Sequence, residues 1–110
     1  MGMATLTCIL VSDKIVVETL SKMLNYVVSE ARKRRENNVN IIFFSNNIKN
    51  VFRYKDIFTA YIDIGIRIYA ENKVDQLKNI LTSCNVVYVS QEDQEIIEFI
   101  RKTNIVVKTI

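Results

Sequence analysis

The sequence contains no histidine, proline or tryptophan, and only two glycines and two cysteines occur among its 110 residues. Without histidine there is no Ser-His-Asp triad, no Cys-His pair and no imidazole ligand for a metal ion. Because glycine occurs only at Gly2 and Gly65, there is neither a Walker loop nor a Gly-x-Gly-x-x-Gly fingerprint. These absences exclude the commonest enzyme classes, and we expect no cofactor and no metal ion.

Long apolar runs are also missing, since no run approaches the ~20 residues that a membrane-spanning helix needs. Ser12, Asp13 and Lys14 interrupt the first apolar stretch too early for a signal peptide. In such a chain, Cys8 and Cys84 are expected to be free thiols in a reducing compartment. The sequence therefore predicts a cytoplasmic protein without a membrane segment.

Positive charge is concentrated in the first half of the chain, although the formal net charge is only +3. Residues 1–55 carry nine basic and four acidic side chains, whereas residues 56–110 carry six and eight. Much of the excess comes from Arg32, Lys33, Arg34 and Arg35. This cluster is interpreted either as a solvated helix C-terminus or as a patch for nucleic acid or an acidic partner.

Apolar stretches rich in β-branched residues alternate with segments whose apolar residues follow a helical spacing. Strands are predicted at residues 5–11, 39–44, 66–70, 85–89 and 105–109. Helices are predicted at residues 14–37, at 48–52, up to about 64, at 72–81, and from the turn at 90–93 to 103. Ser12-Asp13 and Ser90 are the candidate caps for the first and last of these helices.

Residues 54–70 allow two interpretations. Ile62, Ile64, Ile66 and Ile68 alternate with polar residues as in one long strand, but the segment before them also fits a helical stripe. We favour a helix to about residue 64, with Gly65 at the C′ position, where a left-handed conformation costs glycine little. A strand then follows at residues 66–70.

This order predicts a single α/β domain over residues 1–110, with Met1-Gly2 interpreted as a cloning remnant. Continuous apolar strands indicate a sheet covered on both faces, so we expect a three-layer α/β/α domain with five parallel strands. The expected strand order is 2-1-3-4-5, the flavodoxin-like winding.

Ligands of open parallel sheets bind outside the carboxyl ends of the strands. The predicted strands place a set of polar residues at that edge, here called the polar rim. We interpret this rim either as a small-ligand pocket or as a set of helix caps. The rim consists of Ser12, Asp13, Ser45, Asn46, Asn47, Glu71, Asn72, Lys73 and Ser90.

The aromatic residues Phe52, Tyr54, Phe58 and Tyr61 could exceed what one small core buries. Exposed apolar side chains of this kind mark an interface, so we expect a homo-oligomer; the alternative is that all four cover the sheet within one subunit.

Two parts of the chain resemble the DsrE/DsrF-like family, whose members include the subunits of sulfur-relay complexes. One is Gly65-Ile66-Arg67-Ile68-Tyr69-Ala70 with the strands at residues 85–90 and 105–110, and the other is the IIFFSNN stretch at residues 41–47. The resemblance implies a five-stranded parallel sheet that assembles as dimers, trimers or hexamers, or as hetero-oligomers with related partners. Catalytic members carry a persulfide-forming cysteine at the end of the third strand, where this chain has Ala70 and Glu71.

Neither alanine nor a carboxylate can replace that thiolate, so we expect no catalytic residue at this position. The resemblance therefore implies a non-catalytic subunit, or a protein that binds a small ligand or a partner. One alternative is a persulfide carrier that uses Cys84, the candidate thiol outside the strands, or Cys8. A second alternative is a nucleic-acid-associated module that uses Arg32, Lys33, Arg34 and Arg35.

Overall fold

The computed structural model describes residues 5–36 and 38–110, so Met1, Gly2 and Asn37 lie outside the described residues. Within these ranges five parallel strands alternate with helices, which confirms the predicted α/β class. The strands are β1 (Leu6–Ser12), β2 (Asn38–Phe44), β3 (Arg67–Glu71), β4 (Val86–Val89) and β5 (Lys108–Thr109). The helices are α1 (Val17–Lys33), α2 (Lys55–Ile62), α3 (Val74–Thr82) and α4 (Gln94–Thr103), with a 3₁₀ helix at Ile48–Tyr54 that leads directly into α2.

The sheet buries both of its faces, because alternate residues of each central strand point to opposite sides. One face packs against α1, the 3₁₀ helix and α2, and the other face packs against α3 and α4. The first core contains Ile9, Val11, Ile41 and Phe43 with Leu20, Leu24 and Phe58. The second core contains Cys8, Leu10, Ile42 and Val87 with Leu77, Leu81 and Ile96.

The strand order is β3-β2-β1-β4-β5, so the predicted order 2-1-3-4-5 is wrong in the placement of the third strand. β3 pairs with β2 at the edge of the sheet, and β4 pairs with β1 at the point where the order reverses. The physical reason lies in the composition of β3. Arg67 and Tyr69 are exposed on this strand, and charged residues suit an edge strand better than the buried centre.

Residues 54–70, which allowed two interpretations, form a helix followed by a strand, as favoured from the sequence. α2 ends at Ile62, Gly65 has a φ angle of +94°, and β3 begins at Arg67. Any residue with a Cβ atom would be strained at this φ angle, so glycine permits the sharp return from α2 into the sheet. β5, by contrast, is shorter than predicted, because only Lys108 and Thr109 form a ladder with β4.

Cys8 and Cys84 form a disulfide, so the expectation of two free thiols is wrong. The parallel pairing of β1 with β4 brings these residues to a Cα–Cα distance of 6.0 Å, although they are 76 positions apart in the chain. No spacing in the sequence reveals such a contact. Closing a loop of this length stabilises the folded chain by about 4 kcal/mol relative to its reduced form.

The four aromatic residues considered for an interface separate into two groups. Tyr54 and Phe58 are buried, and their rings pack against Phe43 with centroid distances of 5.8 and 6.1 Å. Tyr61 is half-buried, whereas Phe52 is 69% exposed. Only part of this aromatic set therefore belongs to the core.

Within residues 5–36 and 38–110, no helix combines the length and the apolar composition needed to cross a membrane. The cytoplasmic location stays a prediction, and the disulfide replaces the free thiols that were expected of a reducing compartment.

Candidate functional site

Three buried serines end the three adjacent strands β1, β2 and β4. Ser12 closes β1, Ser45 follows β2 and Ser90 follows β4. Each hydroxyl accepts a hydrogen bond from the backbone N–H group two residues later, at 3.0, 3.1 and 3.1 Å respectively. These bonds close the turns that follow the strands, so part of the predicted rim shapes the backbone of the site.

The carboxylate of Asp93 joins β1 to the turn after β4. One oxygen, Oδ2, accepts the backbone N–H of Ser12 at 2.8 Å, and the other, Oδ1, accepts the Ser12 hydroxyl at 2.6 Å. Oδ1 also accepts the N–H of Ile96 at 3.4 Å, which caps the first turn of α4. Because Asp93 is fully buried, these charge-assisted bonds form out of contact with water and are among the strongest in the site.

Asp13 accepts hydrogen bonds that join the β1–α1 turn to the 3₁₀ helix and to the end of β2. Its Oδ2 atom accepts hydrogen bonds from the Ser45 hydroxyl and the Asn50 amide, both at 2.7 Å. Its backbone carbonyl accepts bonds from Arg53 at 3.1 Å and from the Tyr54 hydroxyl at 3.0 Å. The turns after β1 and β2 are therefore held together as one unit.

Burial alone raises the pKa of the Asp13 carboxyl. The hydrogen bonds from Ser45 and Asn50 and the positive charges of Lys14 and Arg53 outweigh this effect, so the pKa lies below its usual value. Asp13 is thus a carboxylate at neutral pH.

Glu95, in the first turn of α4, carries a buried carboxyl oxygen without a hydrogen-bond partner among the described residues. Burial raises the pKa of Glu95, and the nearby carboxylates of Asp13 and Asp93 raise it further, while Lys14 lowers it. A protonated Glu95 can donate a hydrogen bond to Asp13, whereas an ionised one faces two like charges.

The predicted caps of α1 are wrong, since this helix begins at Val17 with no side-chain hydrogen bond at its N-cap residue, Val16. Ser12 is still part of β1 and bonds to Asp93, and Asp13 bonds to Ser45 and Asn50, so neither side chain is available. At α4 the cap is Asp93 rather than Ser90, because Ser90 closes the preceding turn.

The remaining residues of the predicted rim lie away from the strand reversal. Glu71 ends the edge strand β3, and Asn72 and Lys73 follow it; the Glu71 carbonyl accepts the N–H of Ser45 at 3.0 Å. These three residues were expected near β1 only because the predicted strand order placed the third strand next to β1. Asn46 is exposed, and Asn47 caps the 3₁₀ helix by accepting the N–H of Lys49.

A groove of about 630 Å³ opens beside the strand reversal, between the first half of α1 and the β4–α4 turn. Val16, Met23, Tyr26 and Ile110 supply its apolar walls. Ser90, Thr19, Lys22, Glu18, Gln91 and Glu92 supply its polar groups. The Thr19 hydroxyl donates to the Glu92 carboxylate at 2.6 Å and so links the two sides of the groove.

The basic cluster lies at the C-terminus of α1, in keeping with the helix dipole. Lys33 pairs with Glu30 at 3.6 Å, and Arg34 pairs with Glu30 and Glu36 at 4.0 and 3.1 Å. These ion pairs offset part of the positive charge.

Four residues of the site were not predicted as site residues from the sequence: Asp93, Asn50, Tyr54 and Glu95. The spacing of Asp93 before α4 suits an N-cap residue, which was a usable signal. Its bonds to Ser12 span 81 positions and could not be read from the sequence.

Among the residues that the structure describes, no set of three or more carboxylate or thiol side chains is arranged to hold a metal ion. Comparisons with protein-family models, with curated proteins and with solved structures find no significant match to this chain.

We predict that Asp93→Asn lowers the free energy of unfolding by about 3 kcal/mol, because the new amide faces the Ser12 N–H with a second donor. Urea unfolding followed by circular dichroism measures this loss. Glu98→Gln, a similar substitution at an exposed position of α4, should change the stability by less than about 0.5 kcal/mol. Equal effects of both substitutions would contradict the assigned role of Asp93.

We predict that Glu95 lowers stability as the pH rises above its unfolded-state pKa of about 4.5. The folded-state pKa is higher than this value, so the folded chain binds the proton more tightly and loses that advantage with increasing pH. Glu95→Gln should therefore gain stability relative to the parent between pH 4.5 and 7, as measured by urea unfolding across this range. Parallel pH profiles of the two proteins would refute this assignment, with Glu98→Gln as the charge control.

Proposed function

We propose that the protein is a non-catalytic binding protein that holds a small ring-bearing ligand in the groove between α1 and the β4–α4 turn. The main support for this proposal is the position of the groove. It opens at the carboxyl ends of the strands, beside the reversal of strand order between β1 and β4, where open α/β sheets bind their ligands. Its volume of about 630 Å³ suits a small molecule.

The lining of the groove indicates the chemistry of the ligand. Tyr26 is 52% exposed, and its ring offers a flat surface for stacking. Lys22 provides a positive charge, and the Glu92 carboxylate can accept hydrogen bonds from ligand hydroxyl groups. An aromatic ring joined to a hydroxyl-bearing sugar, as in a nucleoside, matches this arrangement.

The resemblance to DsrE/DsrF-like proteins supports a binding role rather than sulfur transfer. Ala70 and Glu71 stand at the position of the family's cysteine, on the edge strand β3. Both cysteines of this chain are joined in a disulfide, so neither offers the thiolate that a persulfide carrier needs.

We expect adenosine, used as a probe, to bind with the ring against Tyr26 and to shift the amide signals of Thr19, Lys22 and Gln91 in ¹H–¹⁵N spectra. Tyr26→Ala should weaken this binding at least about fivefold, since stacking on an aromatic side chain contributes roughly 1–3 kcal/mol. The groove is lined by one cation, Lys22, and two carboxylates, Glu18 and Glu92, so adenosine 5′-monophosphate should bind no more tightly than adenosine.

Tyr69→Ala is the matched control for this titration, because Tyr69 is an exposed tyrosine on the edge strand β3, away from the groove. It should leave the affinity unchanged. The proposed ligand class is wrong if neither probe shifts the groove signals at millimolar concentration, or if both tyrosine variants bind equally well.

We propose, as a second role, that the chain forms a homo-oligomer through the surface that carries the 3₁₀ helix and α2. Phe52 is 69% exposed, and Ile62 and Ile64 are about half exposed. Large apolar side chains exposed in this number are typical of a protein–protein interface. This role agrees with the assemblies that the family resemblance implies.

Sedimentation velocity should then give a mass that is a multiple of 12.8 kDa, and Phe52→Glu should shift it toward the monomer. The change would place a charge in an apolar interface, where it is costly. Val106→Glu, at an exposed position beside the opposite edge strand, should leave the mass unchanged. A parent protein that sediments as a monomer would contradict this role.

A further inference from the structure

The two residues of the Cys8–Cys84 disulfide are unequally buried. Cys8 is fully buried in the middle of β1, where it packs in the core beneath α3 and α4. Cys84 lies in the turn between α3 and β4 and is only partly buried. A thiolate must reach the sulfur that it attacks, so access decides which half of the bond reacts.

A groove of about 510 Å³ leads to Cys84. It runs between the α3–β4 turn and the segment before β5, and Asn85, Val106 and Val107 form part of its walls. Val106 is 90% exposed, so this groove is open to solvent along that side. Cys8 does not line the groove.

We propose that Cys84 is a site of thiol–disulfide exchange with low-molecular-weight thiols such as a glutathione-type tripeptide. The thiolate attacks Cys84 Sγ, a new S–S bond forms there, and the Cys8–Cys84 bond breaks. Cys8 Sγ leaves with the bonding electron pair and takes up one proton, which balances the proton that the attacking thiol lost on ionisation. A second thiolate then attacks the mixed disulfide and releases Cys84. The two thiols are oxidised to their disulfide, and the protein gains two electrons and two protons.

The surroundings of Cys8 set the direction of this exchange. Its thiolate would leave into an apolar core that includes Leu10, Leu77 and Leu81, where a charge is costly. Cys8 therefore becomes a neutral buried thiol and a poor nucleophile, so it does not displace the incoming thiol from Cys84 before the second thiolate attacks. The proposal is independent of the ligand groove, because the two grooves share no lining residue.

The first test uses the full-length oxidised chain, incubated with reduced glutathione under native conditions, quenched with acid and mapped by peptide mass spectrometry. We expect the glutathione adduct on Cys84 and none on Cys8. An adduct on Cys8, or equal adducts on both residues, would overturn the proposal. So would an adduct that appears only at the rate of global unfolding, measured separately by dilution into denaturant.

The second test asks whether the thiol enters through the groove. Val106→Lys and Val106→Glu differ only in the charge placed on its wall, and glutathione is an anion. Exchange with glutathione should be about three- to tenfold faster in the lysine variant at low salt. With cysteamine, whose attacking thiolate form is a zwitterion without net charge, the two variants should react at equal rates. Equal rates with glutathione, or the same ratio with both reagents, would overturn the proposal.

Discussion

The buried carboxylate of Asp93 is the interaction on which the arrangement of the site depends. It binds the end of β1 through Ser12 and at the same time caps α4 through the N–H of Ile96. The turn that carries Ser90 and Glu92 is therefore held against α1, where Thr19 bonds to Glu92. This one carboxylate fixes the β4–α4 turn, one side of the groove, to the end of β1.

The pairing of β1 with β4 is short, and a further link stabilises it at each end. Only Thr7, Cys8 and Ile9 pair with residues of β4. The disulfide joins β1 to the chain just before β4, and Asp93 joins the end of β1 to the chain just after β4. The proposed ligand groove lies at the Asp93 end and the proposed exchange site at the disulfide end, so binding and redox chemistry would act on the same pair of strands.

Much of the fold could be predicted because it depends on local patterns. Helical spacing located the helices, apolar runs located the strands, and Gly65 marked the return from α2 into β3. The strand order was mistaken although a signal existed, since the exposed Arg67 and Tyr69 favour an edge position for β3. The three serines of the predicted rim end adjacent strands, whereas Glu71, Asn72 and Lys73 lie at the carboxyl end of the edge strand β3.

The sequence by itself determined the α/β class, the parallel sheet and the absence of histidine chemistry, because these depend on composition and on neighbours along the chain. Only the tertiary structure decided the partners of Ser12 and Cys8, which are 81 and 76 positions away. Hydrogen bonds and disulfides form between groups that the sheet brings within a few ångströms. Separation along the chain does not reveal which groups become neighbours. The site and the disulfide could therefore be recognised only from the packing of β4 against β1.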